Sequence, residues 1–215
     1  IYALSTASGQ AGVAVIRISG PETGPILDQI AGLPRPEPRK AALRKMSHHD
    51  GDSFDNGLAL CLPGPTSFTG EDCAELHLHG GVAVLDAAFA TLGALGAVPA
   101  QAGEFTRRAF ENDKLDLTEA EGLADLIEAE TEGQRRQALA QLTGSLRILY
   151  EQWREDLIAA MASIEGEIDF PEEEDVPDAL SHKAYEPFTN LIDSMAVHLE
   201  DGKRGERIRT GFSVT

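Results

Sequence analysis

Val13-Ala14-Val15-Ile16-Arg17-Ile18 decides the class of fold at the amino-terminal end. Five apolar residues, four of them β-branched, and a single arginine read as a strand. Strand side chains alternate, so Val13, Val15 and Arg17 share one face, and Ala14, Ile16 and Ile18 share the other. An arginine among apolar strand residues points to a charge aimed into a site or an interface. Upstream, Ile1–Thr6 reads as a partner strand, joined through the small, turn-prone Ala7-Ser8-Gly9-Gln10-Ala11-Gly12. Downstream, Gly57-Leu58-Ala59-Leu60-Cys61-Leu62 is apolar on both faces, as a central strand is, and Pro63-Gly64-Pro65 stops it. Ala74–His79 is a further strand, ended by Gly80-Gly81. Residues 25–32 predict a short helix before the Pro-rich loop 34–38. A second helix follows Gly81, with Leu85, Phe89 and Leu92 at helical spacing.

From Thr118 the pattern changes to long helices. Thr118 and Glu121 have the spacing of a capping box, and Ala120, Leu123, Ala124 and Ile127 form an apolar stripe, predicting a helix to about Gly144. A second helix from Ser145 carries Leu146, Leu149, Trp153, Leu157, Ala160, Ile164 and Ile168 at the spacing of a bundle seam. Pro171 and Pro177 bracket an acidic connection. A third helix places Phe188, Leu191, Ile192, Met195 and Leu199 on one face. Three striped helices need further partners to close a core. The basic, Gly-punctuated residues 202–209 and the strand-like Gly211–Thr215 read as the entry to another domain. The expected architecture is an α+β domain with a mixed sheet over residues 1–117, followed by an incomplete all-α bundle over 118–215.

The 215 residues suffice for one large or two small domains, and 42% hydrophobic with 25% charged residues is the composition of a globular chain. The net charge of −18 is unevenly spread. Residues 1–118 carry 9 basic and 14 acidic groups, and residues 119–215 carry 9 and 22. Affinity for a phosphate backbone comes largely from Lys and Arg releasing counterions, so this chain is a poor holder of RNA or DNA. Two cysteines without a C-x-x-C pair exclude a disulfide scaffold and a four-cysteine zinc site. No run reaches membrane-span length, and the expected compartment is the cytoplasm. The first residue is Ile1, so the chain is expected to begin a few residues late.

Glu75, His77 and His79 alternate on one strand face. Two histidines in that relation could bind metal with Cys73 or Glu75, or could simply be hydrogen-bonded in a sheet wall. Glu75 lies between apolar Ala74 and Leu76, and a carboxylate there needs donors. It either pairs with a cation such as Arg17 or accepts two parallel hydrogen bonds from a planar heterocycle. Arg17, with Lys114 in a polar turn, suits a ligand carrying carboxylates. Arg107 and Arg108 read as solvated helix charges, and Glu172-Glu173-Glu174-Asp175 as a solvated connection. No nucleophile–base arrangement can be assigned, and no G-x-x-x-x-G-K-[ST] phosphate loop occurs in the 215 residues.

Several motifs stand in order along nearly the whole chain: Gly12–Gly20, Ser67-Phe68-Thr69-Gly70-Glu71-Asp72, Glu75–Gly81, Gly103–Phe110, Asn112–Leu117, Ala120–Ile127, and Ile168–Glu173. Together they resemble the bacterial tRNA-modification GTPase family MnmE, also called TrmE. The resemblance implies an N-terminal tetrahydrofolate-binding domain, similar to that of the glycine-cleavage aminomethyltransferase, which also holds a homodimer together. It implies a helical domain interrupted by a GTPase domain that would begin where this chain stops. GTP, magnesium and potassium would belong to that absent domain. The family works with the flavoprotein MnmG on tRNA, installing an aminomethyl or carboxymethylaminomethyl group at carbon 5 of the wobble uridine. Its folate-contacting residues fall on Arg17, Glu75 and Lys114. A 5-formyl- or 5,10-methylene-tetrahydrofolate is the implied ligand, and no catalytic residue is expected within these 215 residues. The competing expectation is a dimerisation scaffold that positions GTPase domains without binding folate.

Overall fold

The computed structural model describes residues 1–48, 50–169 and 180–210. The chain divides into two compact units, Ile1–Leu115 and Asp116–Thr215, two residues before the expected boundary.

The first unit is α+β. In chain order it comprises β1 (Tyr2–Leu4), β2 (Ala11–Ser19), α1 (Thr23–Ala31), β3 (Ala42–Ser47), β4 (Ser53–Leu62), β5 (Cys73–Gly80), α2 (Val82–Ala94) and α3 (Glu104–Glu111). The five strands form one sheet in the order β1-β2-β5-β4-β3. All four pairings of named strands are antiparallel, where a mixed sheet was expected; parallel contacts are confined to isolated bridges such as Tyr2 with Pro99. The alternation expected for β2 is present: Ala14, Ile16 and Ile18 are buried, while Val13 is exposed and Arg17 half-buried.

Ile16 and Ile18 join Ala59, Ala74, Leu76 and Leu78 of the sheet, Ile26, Leu27 and Ile30 of α1, and Ala88 and Leu92 of α2 in one core. Each large aliphatic side chain buried this way contributes about 1.5–3 kcal/mol. Helices α1 and α2 therefore cover one face of the sheet, and the other face carries Arg17, Glu75 and His77. Strand β3 escaped the sequence reading because Ala42-Leu43-Arg44-Lys45-Met46-Ser47 contains two cations and no β-branched residue. It is an edge strand, where exposed charge guards an unpaired side. Strands β4 and β5 approach so closely that a Cβ on Gly57 would collide with the carbonyl oxygen of His77.

The second unit is helical: α4 (Leu117–Glu128), α5 (Glu132–Leu142), α6 (Ser145–Asp169) and α7 (Leu180–Thr210). The single helix expected from Thr118 to Gly144 is two. Thr131 caps α5, accepting from the Gln134 amide, while the Gln134 side chain accepts from the Thr131 amide. The cap of α4 is likewise Asp116 with Glu119, not Thr118 with Glu121. Thr118 instead donates its hydroxyl to Asp116 at 2.8 Å. Gly122 permits α4 and α5 to touch, since a Cβ there would lie 2.6 Å from the Leu142 nitrogen.

Between α6 and α7, Trp153 donates its indole N–H to Ser194 at 2.9 Å, and Ala160 and Leu191 are buried. Ile192 and Leu199, expected on the buried stripe with Leu191, are exposed, as is Leu157 of the expected α6 seam. Residues 202–209 continue α7. Gln137 donates to the Gly205 carbonyl and Gln134 to the Arg209 carbonyl, while Arg209 pairs with Asp125 at 3.0 Å, so tertiary contacts hold the helix across its glycines. Pro171, Pro177, the acidic run Glu172–Asp175 and the strand expected at Gly211–Thr215 lie outside the described residues. No described helix is long and apolar enough to cross a membrane.

Candidate functional site

Strand register sets Arg17 of β2 directly against Glu75 of β5. The guanidinium donates from Nε at 3.1 Å and from Nη2 at 2.9 Å, both to Oε1. The other oxygen, Oε2, lies 3.2 Å from Nε2 of His77, which carries the hydrogen when Glu75 is ionised. The pair is partly shielded, with the Arg17 side chain 31% and the Glu75 side chain 17% exposed. Two aromatic rings complete the surroundings, Phe68 with its centroid 5.4 Å and Phe105 with its centroid 6.0 Å from the guanidinium carbon. Burial pushes the Glu75 carboxyl upward, but hydrogen bonds from Arg17 and His77 outweigh it and hold the group below the usual glutamate value.

Lys114 occupies the turn after α3, where its amide donates to the Ala109 carbonyl at 2.8 Å. The side chain is exposed and makes no ion pair or hydrogen bond with the described residues. No bond joins it to Arg17 or Glu75; a loop links them instead. Residues 63–72, between β4 and β5, present Phe68 to Arg17 and Gly70 to Lys114. Gly70 has φ +81°, and a Cβ there would stand 2.9 Å from Asn112 Cβ and 3.4 Å from Lys114 Cγ. Only a residue without a side chain both adopts that backbone and leaves room for the lysine stem.

The loop is fastened from below. Thr69 is fully buried, 2.7 Å from Ser19 Oγ and 3.2 Å from Cys73 Sγ, and its carbonyl accepts from Asn112 at 2.7 Å. Glu71 accepts from Ser19 at 2.8 Å and from Arg108 at 2.9 Å, and Arg108 also reaches Glu104 at 3.2 Å. Arg107 is the solvated helix charge expected, at 58% exposure, but Arg108 is a buttress between α3 and the loop. Sequence reasoning passed over Phe68, Phe105, Thr69 and Asn112 as individual site residues. The signal available was their place inside the dense segments 67–72 and 103–116.

His79 is tied elsewhere, its Nδ1 2.7 Å from Asp55 Oδ1 and its amide donating to Asp55 Oδ2 at 2.8 Å. Both imidazoles are thus hydrogen-bonded in the sheet wall, one of the two readings their spacing left open. Among the described residues no group of three or more His, Cys, Asp or Glu side chains is placed to hold a metal. A cleft of about 390 Å³ in the second unit is lined by Asp125, Glu128, Gln134, Gln137 and Arg209. Its one cation is already paired with Asp125, so it offers no free group to an anion.

The first unit therefore offers a held carboxylate and an arginine with a free edge on the sheet, and an unpaired lysine in the turn after α3. Residues 1–114 match the family described as the GTP-binding protein TrmE N-terminus, and residues 117–213 match the MnmE helical domain. The chain belongs to the MnmE (TrmE) family. Its relatives include the tRNA modification GTPase MnmE of Maricaulis maris, 67% identical over 214 residues, covering all of this chain and 49% of the relative. The tRNA modification GTPases MnmE of Parvibaculum lavamentivorans and Paramagnetospirillum magneticum are 54% and 52% identical, again over the whole chain and 49% and 48% of their own lengths. The chain thus spans about half the length of the curated MnmE relatives it matches.

Proposed function

We propose that the first unit binds a reduced folate, 5-formyl- or 5,10-methylene-tetrahydrofolate, and that this serves tRNA modification by the MnmE protein to which the chain corresponds. The observation that carries the reading is the half-buried Arg17–Glu75 pair, with the 63–72 loop presenting Phe68 to Arg17 and Gly70 to the stem of an exposed, unpaired Lys114. The donor set fits the ligand. Glu75 retains lone pairs for the ring N–H groups of a pterin, and Lys114 and the free edge of Arg17 complement its carbonyl and carboxylate oxygens. Bound there, the folate supplies the one-carbon unit, and this chain's residues bind and orient it.

In the same reading the unit holds a homodimer in the cytoplasm, and MnmG and tRNA join in the full complex. The product is an aminomethyl or carboxymethylaminomethyl group at carbon 5 of the wobble uridine. GTP, magnesium and potassium act on the part of the relatives beyond this span.

Calorimetric titration with 5-formyltetrahydrofolate, on protein whose dimer state is fixed by sedimentation, tests the proposal. Saturable binding near one ligand per chain, abolished by Glu75→Ala in an intact dimer, is the expected outcome. Unchanged affinity in that variant removes Glu75 from the site. A second reading, a scaffold that dimerises without folate, draws on Glu75 having both oxygens already partnered and on exposed Val13, Leu43 and Leu58. It predicts a stable dimer that takes up no folate.

A further inference from the structure

We propose that Phe68 and Phe105 are positioning residues that hold the Arg17 guanidinium for the ligand, so that affinity for a reduced folate depends on their rings and not merely on their bulk. The inference rests on the folate reading above and concerns residues that reading does not use. Arg17 is a long side chain rising from a strand, and Glu75 alone does not fix it. Its two hydrogen bonds converge on a single oxygen, Oε1, instead of forming the parallel fork that locks a guanidinium against a carboxylate. A guanidinium held at one atom can swing about it. The two rings within 6.0 Å supply what the single oxygen does not, because a cation is drawn toward the electron-rich faces of aromatic rings.

The rings are themselves held without help from Arg17. Phe68 precedes the fully buried Thr69, which is anchored to Ser19 and Cys73. Phe105 is the second residue of α3, whose start is fixed by Gly103 at φ +74° and by Glu104 accepting from the Gln101 amide at 2.8 Å. Loop and helix are then joined by Asn112 donating to the Thr69 carbonyl and Arg108 to Glu71. The aromatic pair is a preformed frame into which the arginine fits.

With the rings nearby and one edge given to Glu75, the Nη1 end of Arg17 has no hydrogen-bond partner among the described residues. That end is the donor left for an oxygen of the ligand. A preset donor costs the ligand less ordering entropy than a mobile one, so rings that act through Arg17 change the ligand's affinity.

The test is titration of the full chain with 5-formyltetrahydrofolate for Phe68→Leu, Phe105→Leu, Phe68→Tyr and Phe105→Tyr, beside Arg17→Ala. Leucine keeps the apolar bulk and loses the ring; tyrosine keeps the ring. Each leucine variant is expected to bind about three- to tenfold more weakly, with tyrosine variants near the native affinity. Leucine variants that bind as the native chain does, or tyrosine variants as weak as leucine ones, overturn the proposal. Where a leucine variant fails to fold, judged by its thermal transition, the methionine variant at the same position takes its place. Native affinity in Arg17→Ala would instead remove Arg17 from the folate site. Loss of binding there, with unaffected leucine variants, removes only the role given to the rings.

Discussion

Glu75 shows how one carboxylate is set by opposing forces. Burial favours its neutral form, and the donors Arg17 and His77 favour the ion and prevail. A carboxyl whose folded pKa is depressed contributes stability that is present above its unfolded value of 4.5 and is lost as pH falls through the folded value. The native chain should therefore exceed Glu75→Gln in urea resistance near neutrality, and the gap should narrow progressively as pH falls below 4.5. A gap independent of pH would show that Glu75 ionisation adds nothing to folding. The alternation of β2 and β5 made Arg17, Glu75 and His77 visible as a face in the sequence. An Arg17 partner for Glu75 was one of the readings the sequence left open; which reading held was not visible, because strand order and register are set by contacts 58 residues apart.

At the scale of elements, local chemistry and global packing disagree in instructive places. Capping signals overlap around residues 116–121, and both Asp116/Glu119 and Thr118/Glu121 satisfy the spacing. The structure uses the first, which lets Leu117 open the helix and turns Thr118 into a donor to the cap. The break before α5 rests on Thr131 and Gln134, whose reciprocal bonds satisfy backbone donors that a continuous helix would have paired internally. Thr131→Ala should cost the second unit about 1 kcal/mol, read from its urea midpoint, while leaving the folate affinity of the first unit unchanged. No loss of stability would mean that α5 is held by packing alone. The helix that runs through Gly202 and Gly205 shows the converse case. There, two glutamines of α5 and an Arg209–Asp125 pair hold a helix across glycines that favour breaking it.

For the whole molecule, charge is the property that sequence alone sets most firmly. With −18 overall and 22 acidic against 9 basic groups after Thr118, the long-range field repels a polyanion. The purified chain should show negligible tRNA binding in a filter or mobility-shift assay at about 0.15 M salt, with little change as salt is lowered. Tight, salt-sensitive binding would mean that a few cations act locally against the net field. In the proposed function, tRNA is then engaged by other parts of the full complex.

The sequence by itself determined the α+β-then-helical order, the face on which Arg17, Glu75 and His77 stand, the acidic second half and the family to which the chain belongs. Periodicity, charge and motif order are local or additive properties, and they survive without knowledge of the fold. Tertiary structure alone decided the strand order β1-β2-β5-β4-β3, the edge position of β3, and the rings that frame Arg17. Each of these depends on which distant segments compete successfully for the same surface. Phe68 and Phe105 lie 37 residues apart and meet at Arg17 only because a buried threonine, an asparagine and an Arg108–Glu71 pair tie loop to helix.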